Sequence, residues 1–134
     1  MSPAVKRTVE ARFVKLLFHK QEHRGMRLIE HETRCVRSGE IHEIVTTTHR
    51  EAGSGDPIDR VGFLGFAEMC CGGIIERGDP VEIAGQVIGT VLGFDECHYP
   101  NHYNILIAVE ETLTADDLGL TVEAGIRFGA QESG

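Results

Sequence analysis

Apolar and charged residues alternate from Val5 to Leu17, with Val5, Val9, Ala11 and Phe13 set against Lys6, Glu10 and Arg12. A period of two sends successive side chains to opposite faces, so this segment reads as a half-buried strand. The polar stretch from His19 to Gly25 reads as a turn. Met26–Arg37 and Ile41–His49 flank Ser38-Gly39 and read as a hairpin, the second arm carrying Ile44, Val45 and three consecutive threonines. Branching at Cβ favours pleated over helical backbone there. Glu51–Asp59, with Gly53, Gly55, Asp56 and Pro57, reads as an exposed loop.

Val61–Ile75 is ambiguous. Phe63, Leu64, Phe66, Met69 and Cys70 suit a short helix, but four glycines interrupt them, each weakening a helix by about 1 kcal/mol. Val81–Ala84 and Val87–Phe94 read as two strands around a Gly85-Gln86 turn, Asn104–Glu111 as another, and Thr121–Phe128 as the last. Thr114–Gly119 reads as one helical turn, with Thr114 as N-cap and acids in its first turn. Six or seven short strands at the roughly 8–12-residue spacing of all-β folds predict a small glycine-rich β barrel with one or two short helical turns, a single domain spanning residues 1–134.

Composition narrows the setting. No apolar run approaches the roughly 18 residues of a membrane-spanning helix, and the first residues lack the apolar core of a signal peptide. The expectation is a cytoplasmic protein with Cys35, Cys70, Cys71 and Cys97 as free thiols. Residues 1–50 carry ten Lys/Arg against six Asp/Glu, whereas residues 51–134 carry three against fifteen, for a net charge of −8. That balance argues against nucleic acid as a partner, because a phosphate backbone requires a clustered basic face. Pairing of the basic half with the acidic half, within the chain or across a homodimer, accounts for the asymmetry.

From Glu76 to Phe128, about 40% of the chain, the punctuation Gly78, Val81-Glu-Ile, Val87–Gly93, Asn101-His102 and Gly125-x-x-Phe128 resembles the glucitol/sorbitol-specific IIA domain of the sugar phosphotransferase system. The resemblance implies a small β barrel and a sugar-handling ancestry. That family keeps a histidine-rich segment before the corresponding glycine turn. The equivalent stretch here, Phe66–Gly73, has no histidine, so phosphocarrier activity does not carry over.

The chemistry concentrates in Gly93–Asn104, where two acids, a thiol, two imidazoles, two phenols and two amides share twelve residues between apolar strands. So many titratable groups are expensive to desolvate and mark a candidate site. Pro100-Asn101 suits the centre of a turn. With Tyr99 opposite His102, Cys97 pairs with Asn104. Asp95, Cys97, Tyr99, His102, Asn104 and Leu106 then take one face, and Phe94, Glu96, His98, Tyr103, Ile105 and Ile107 the other. In that hairpin an imidazole beside Cys97 can hold it as a thiolate. A wider loop instead lets His98 and His102 converge on a divalent metal such as zinc, iron or manganese, with Cys97, Glu68, His42 or His49 completing the set. Glu68 lies in an apolar run, where burial raises a carboxyl towards the range of a general acid or base.

Two readings follow. In the first, the barrel binds a small polar metabolite at a mouth lined by Asp95, Glu96, Tyr99, Asn101, Tyr103, Asn104 and Glu68. In the second, it is a small enzyme of small-molecule metabolism in which Cys97, His98 and His102 act with Glu68, either metal-assisted or as an acid/base set.

Overall fold

The computed structural model describes residues 5–97 and 101–129. The described residues form strands β1 (Val9–Leu16), β2 (Lys20–Gln21), β3 (Met26–Arg27), β4 (Thr33–Val36), β5 (Ile41–Thr47), β6 (Pro57–Ile58), β7 (Val61–Met69), β8 (Gly73–Glu76), β9 (Pro80–Ile83), β10 (Gln86–Asp95), β11 (Asn104–Ala108) and β12 (Gly125–Phe128), with no helix among them. No helix long and apolar enough to cross a membrane is therefore present among the described residues.

Seven strands run in the order β1-β12-β9-β10-β11-β5-β7, and β1 pairs again with β7 to close a ring. Every contact in it is antiparallel except β11 with β5. Closure matches the expected all-β architecture and leaves the ring strands without free edges. It depends on close backbone approach. Gly65, at φ +146°, faces Leu16 at the closing seam, and a Cβ there would sit 2.1 Å from the Lys15 carbonyl. Bulges at Phe13/Lys15, Ile44/Val45, Val87/Gly89 and Val91/Gly93 supply the bending that closure needs.

Side chains from all seven strands fill the interior, among them Phe13, Ile44, Leu64, Val81, Phe94, Ile107 and Phe128, joined by Val36 and Ile75 from the β4–β8 ribbon. A second core lies outside the ring wall. There Met26, Leu28 and Ile58, around the β3–β6 ribbon, cover Val45, Val61, Phe63, Leu92 and Leu106. This second layer explains why β5 and β7 lack alternation: both of their faces are buried.

Three expectations are corrected. β7 is a strand despite its glycines, because covered strands read as continuous apolar runs. The turn at Ser38-Gly39 does not join a hairpin: β4 pairs with β8, and β5 with β7 and β11. Thr114–Gly119 holds the expected cap, with Thr114 N donating to Asp117 Oδ2 at 3.0 Å, but forms a turn rather than a helix. A stop motif arrives within the same turn, Leu120 N bonding Ala115 O and Gly119 N bonding Asp116 O, with Gly119 at φ +63°.

The two charge halves meet within the chain. Lys6 bonds the fully buried Asp79 at 2.5 Å and Glu76 at 3.1 Å, and Lys20 lies 3.4 Å from Asp117.

Candidate functional site

The β10–β11 register places Asp95, and not Cys97, opposite Asn104, so the pairing expected of a tight Pro-Asn hairpin is not the one formed. The parallel partner of Asn104 is Glu43 on β5. Because side chains alternate, Glu43, Asp95 and Asn104 share the outer face of the wall, while Tyr103, Phe94 and Ile105 belong to the inner one. Polar groups thus gather on both sides of one rim.

On the outer side Asp95 is 3% exposed and fully engaged. Its Oδ2 accepts from Arg27 N at 2.8 Å, and its Oδ1 from Cys97 N and Asn104 Nδ2, each at 2.9 Å. Burial pushes this carboxyl up, but hydrogen bonds from Cys97, Arg27 and Asn104 outweigh it and leave its pKa below the usual value. Beside it Glu43, 6% exposed, carries a raised pKa. Burial is the main cause, the charge of Arg24 opposes it and that of Asp95 adds to it. Glu43 Oε1 and Asn104 Oδ1 are both buried and accept no hydrogen bond among the described residues.

His102 bridges the two sides. Its ring packs edge-on against Phe66 at 5.1 Å, Nε2 lies 3.9 Å from Glu43 Oε1, and Nδ1 is 3.0 Å from the Asn101 side-chain amide. A donated amide proton at Nδ1 assigns the ring proton to Nε2, facing the carboxylate.

On the inner side His42 Nδ1 accepts from Tyr103 N at 3.1 Å, and His42 Nε2 donates to Glu40 Oε1 at 3.0 Å. The guanidinium of Arg34, on β4, sits 3.6 Å above the Tyr103 ring. Arg34, Glu40, Ile41, His42, Asn101, His102 and Tyr103 line a cleft of about 220 Å³ at this rim.

Of the residues expected from sequence, Asn101, His102 and Tyr103 line the cleft, and Asp95 and Asn104 support it from the outer face. Glu96 is exposed. His98 and Tyr99 lie outside the described residues. Glu68 is corrected: it points outward from β7 beside the exposed Ile41, because the apolar run around it is a strand whose buried positions are its neighbours. The thiolate expected at Cys97 is also corrected. Its sulfur lies 3.2 Å from Asn104 Nδ2 and 3.7 Å from Arg24, and its pKa is raised, first by burial and then by the hydrogen bond and charge of Asp95. Among the described residues no group of three or more His, Cys, Asp or Glu is placed to hold a metal ion.

The sequence singled out neither Arg34 nor Glu43, and His42 entered only as a distant residue that could complete a metal set. One signal was available for Glu43, since it directly precedes the apolar Ile44-Val45 pair on a segment rich in residues branched at Cβ.

Fold and site together define a small all-β protein whose seven-stranded closed sheet carries a polar cleft at one rim. The chain belongs to the DUF6917 family, a family of unknown function, which it matches over residues 3–129. Comparison with curated proteins and with solved structures returns no match.

Proposed function

We propose that this protein binds a small polar metabolite in the rim cleft. One observation carries the reading: a cleft of about 220 Å³ is walled by a guanidinium stacked on a phenol ring, two imidazoles and a side-chain amide, the imidazoles held by hydrogen bonds to Glu40, Asn101 and the Tyr103 backbone. Convergent polar groups in a concavity are the usual form of a small-molecule site. Two wider grooves, one along Glu10, Arg12, Glu82 and Arg127 and one along Val87, Thr90, Glu110 and Glu111, lie on open sheet surface and gather no comparable set. The likeness of residues 76–128 to a sugar-handling domain agrees with a small polar ligand. Four free thiols agree with a cytoplasmic setting.

A second reading, a small enzyme, draws on the pair beneath the cleft floor. Glu43 within 3.9 Å of His102 is an arrangement able to steady an imidazole that exchanges a proton with a bound molecule.

Saturation-transfer NMR on a mixture of small polar metabolites tests the first reading. Transfer to at least one component in the parent protein, lost in Arg34→Gln, is expected. Equal transfer in both proteins, or none in either, contradicts it.

A further inference from the structure

We infer that the molecule this cleft takes is a small monoanionic hydroxycarboxylate, its carboxylate on Arg34 and its hydroxyl between Asn101 and His102. The inference rests on the metabolite-binding reading and specifies its ligand.

Arg34 is the first ground. The other half-buried arginines among the described residues have acceptors, Arg77 at Glu32 (3.8 Å) and Arg24 at the Cys97 sulfur (3.7 Å). Arg34 has only the Tyr103 ring beneath it, and its buried Nε has no hydrogen-bond partner among the described residues. Among the described residues no carboxylate pairs with this half-buried guanidinium, which stands at the wall of a cleft. The planar fork of arginine matches a carboxylate through two parallel N–H···O bonds, and stacking on an aromatic ring leaves its in-plane N–H groups free to make them.

The second ground is charge. Glu40 lines the same cleft, and Glu43 lies behind His102. A ligand with a second negative charge would face both carboxylates with one guanidinium to offset them. A phosphate dianion fits poorly and a monocarboxylate fits well.

The third is the Asn101–His102 contact at 3.0 Å. The amide is a donor and, with its ring proton on Nε2, Nδ1 is an acceptor. A hydroxyl donates one hydrogen bond and accepts others, so it can enter between them and satisfy both, whereas a second carboxylate cannot. Size sets the last limit. A cleft of about 220 Å³ falls below the roughly 300–1,000 Å³ of pockets for drug-sized ligands, which favours a molecule of few heavy atoms over a nucleotide.

The test is a protein-observed NMR titration with glycolate, acetate, glycerol and inorganic phosphate, following the Arg34 Nε–H and the Asn101 side-chain amide. Glycolate is expected to shift both signals and saturate, acetate to bind more weakly, and glycerol and phosphate to leave both in place. Arg34→Lys, which keeps the charge but loses the fork, should weaken glycolate binding by roughly tenfold or more, and Arg34→Gln should abolish it. The amide spectrum away from the cleft reports that each variant is folded. Glycerol or phosphate binding as tightly as glycolate, or Arg34→Lys binding glycolate unchanged, overturns the carboxylate assignment and leaves metabolite binding standing. Absence of any shift with all four probes also overturns the inference, while the metabolite mixture decides the broader reading independently.

Discussion

Asn104 donates its side-chain amide to Asp95 Oδ1 at 2.9 Å, directly across the β10–β11 register, and the same amide nitrogen lies 3.2 Å from Cys97 Sγ. This contact fixes the root of the loop that carries Asn101, His102 and Tyr103 to the cleft. Asp95 is the hub, because Arg27 N and Cys97 N also converge on its carboxylate. Replacing Asp95 with Asn puts an amide donor where donors already point. A loss of about 2–3 kcal/mol in urea unfolding is expected near neutral pH. Since the folded pKa of Asp95 is depressed below 3.8, its contribution is present above that value and is lost as pH falls through the folded pKa. The gap between parent and variant should therefore close in acid.

Glu43 behaves in the opposite sense. Its folded pKa lies above 4.5, so the folded state holds a proton that the unfolded state releases, and stability declines as pH rises from 4.5 through the folded pKa. Glu43→Gln mimics the protonated form. It should match the parent near pH 4 and exceed it in melting temperature near pH 8, as read by circular dichroism. A variant less stable at both pH values would mean that the charged carboxylate is an essential partner.

Cys97 is exposed yet electrostatically discouraged from ionising. Peptide-resolved alkylation should find it slower to react at mildly alkaline pH than the other exposed thiols, Cys35 and Cys70. Asp95→Asn removes the neighbouring charge and should accelerate it.

The closing seam makes its own demand. Gly65→Ala adds a Cβ 2.1 Å from the Lys15 carbonyl, at φ +146°, where side chains are already strained. Destabilisation of about 3 kcal/mol or more is expected by denaturant titration, the chain having to open the β1–β7 pairing to relieve the clash.

Much of this architecture was legible in the chain. Alternation located β1, and turn residues bracketed β9 and β10, because those strands have one wet face over part of their length. β7 was not legible, since a strand covered on both sides has no period to read. Pairing was hidden for a different reason: β4 with β8 and β5 with β11 join residues far apart in sequence. The site divides in the same way. Asp95, Asn101, His102, Tyr103 and Asn104 declared themselves by crowding into one loop. Arg34, His42 and Glu43 reach the same rim through tertiary pairing, and Glu68 misled because the apolar run around it is a strand on which its own position faces outward.

The central claim turns on Arg34, whose guanidinium is stacked at 3.6 Å on Tyr103 without a carboxylate partner among the described residues. Residues retained for binding rather than for stability can be replaced without loss to the fold. The direct measurement is the melting temperature of parent and Arg34→Gln proteins, each alone and with glycolate. The parent should rise with ligand, by the equivalent of about 2.7 kcal/mol at a hundredfold excess over the dissociation constant. The free variant should melt at or above the free parent and show no rise. A variant destabilised by about 1 kcal/mol or more, together with a parent indifferent to ligand, would make the rim a structural cap and contradict the account.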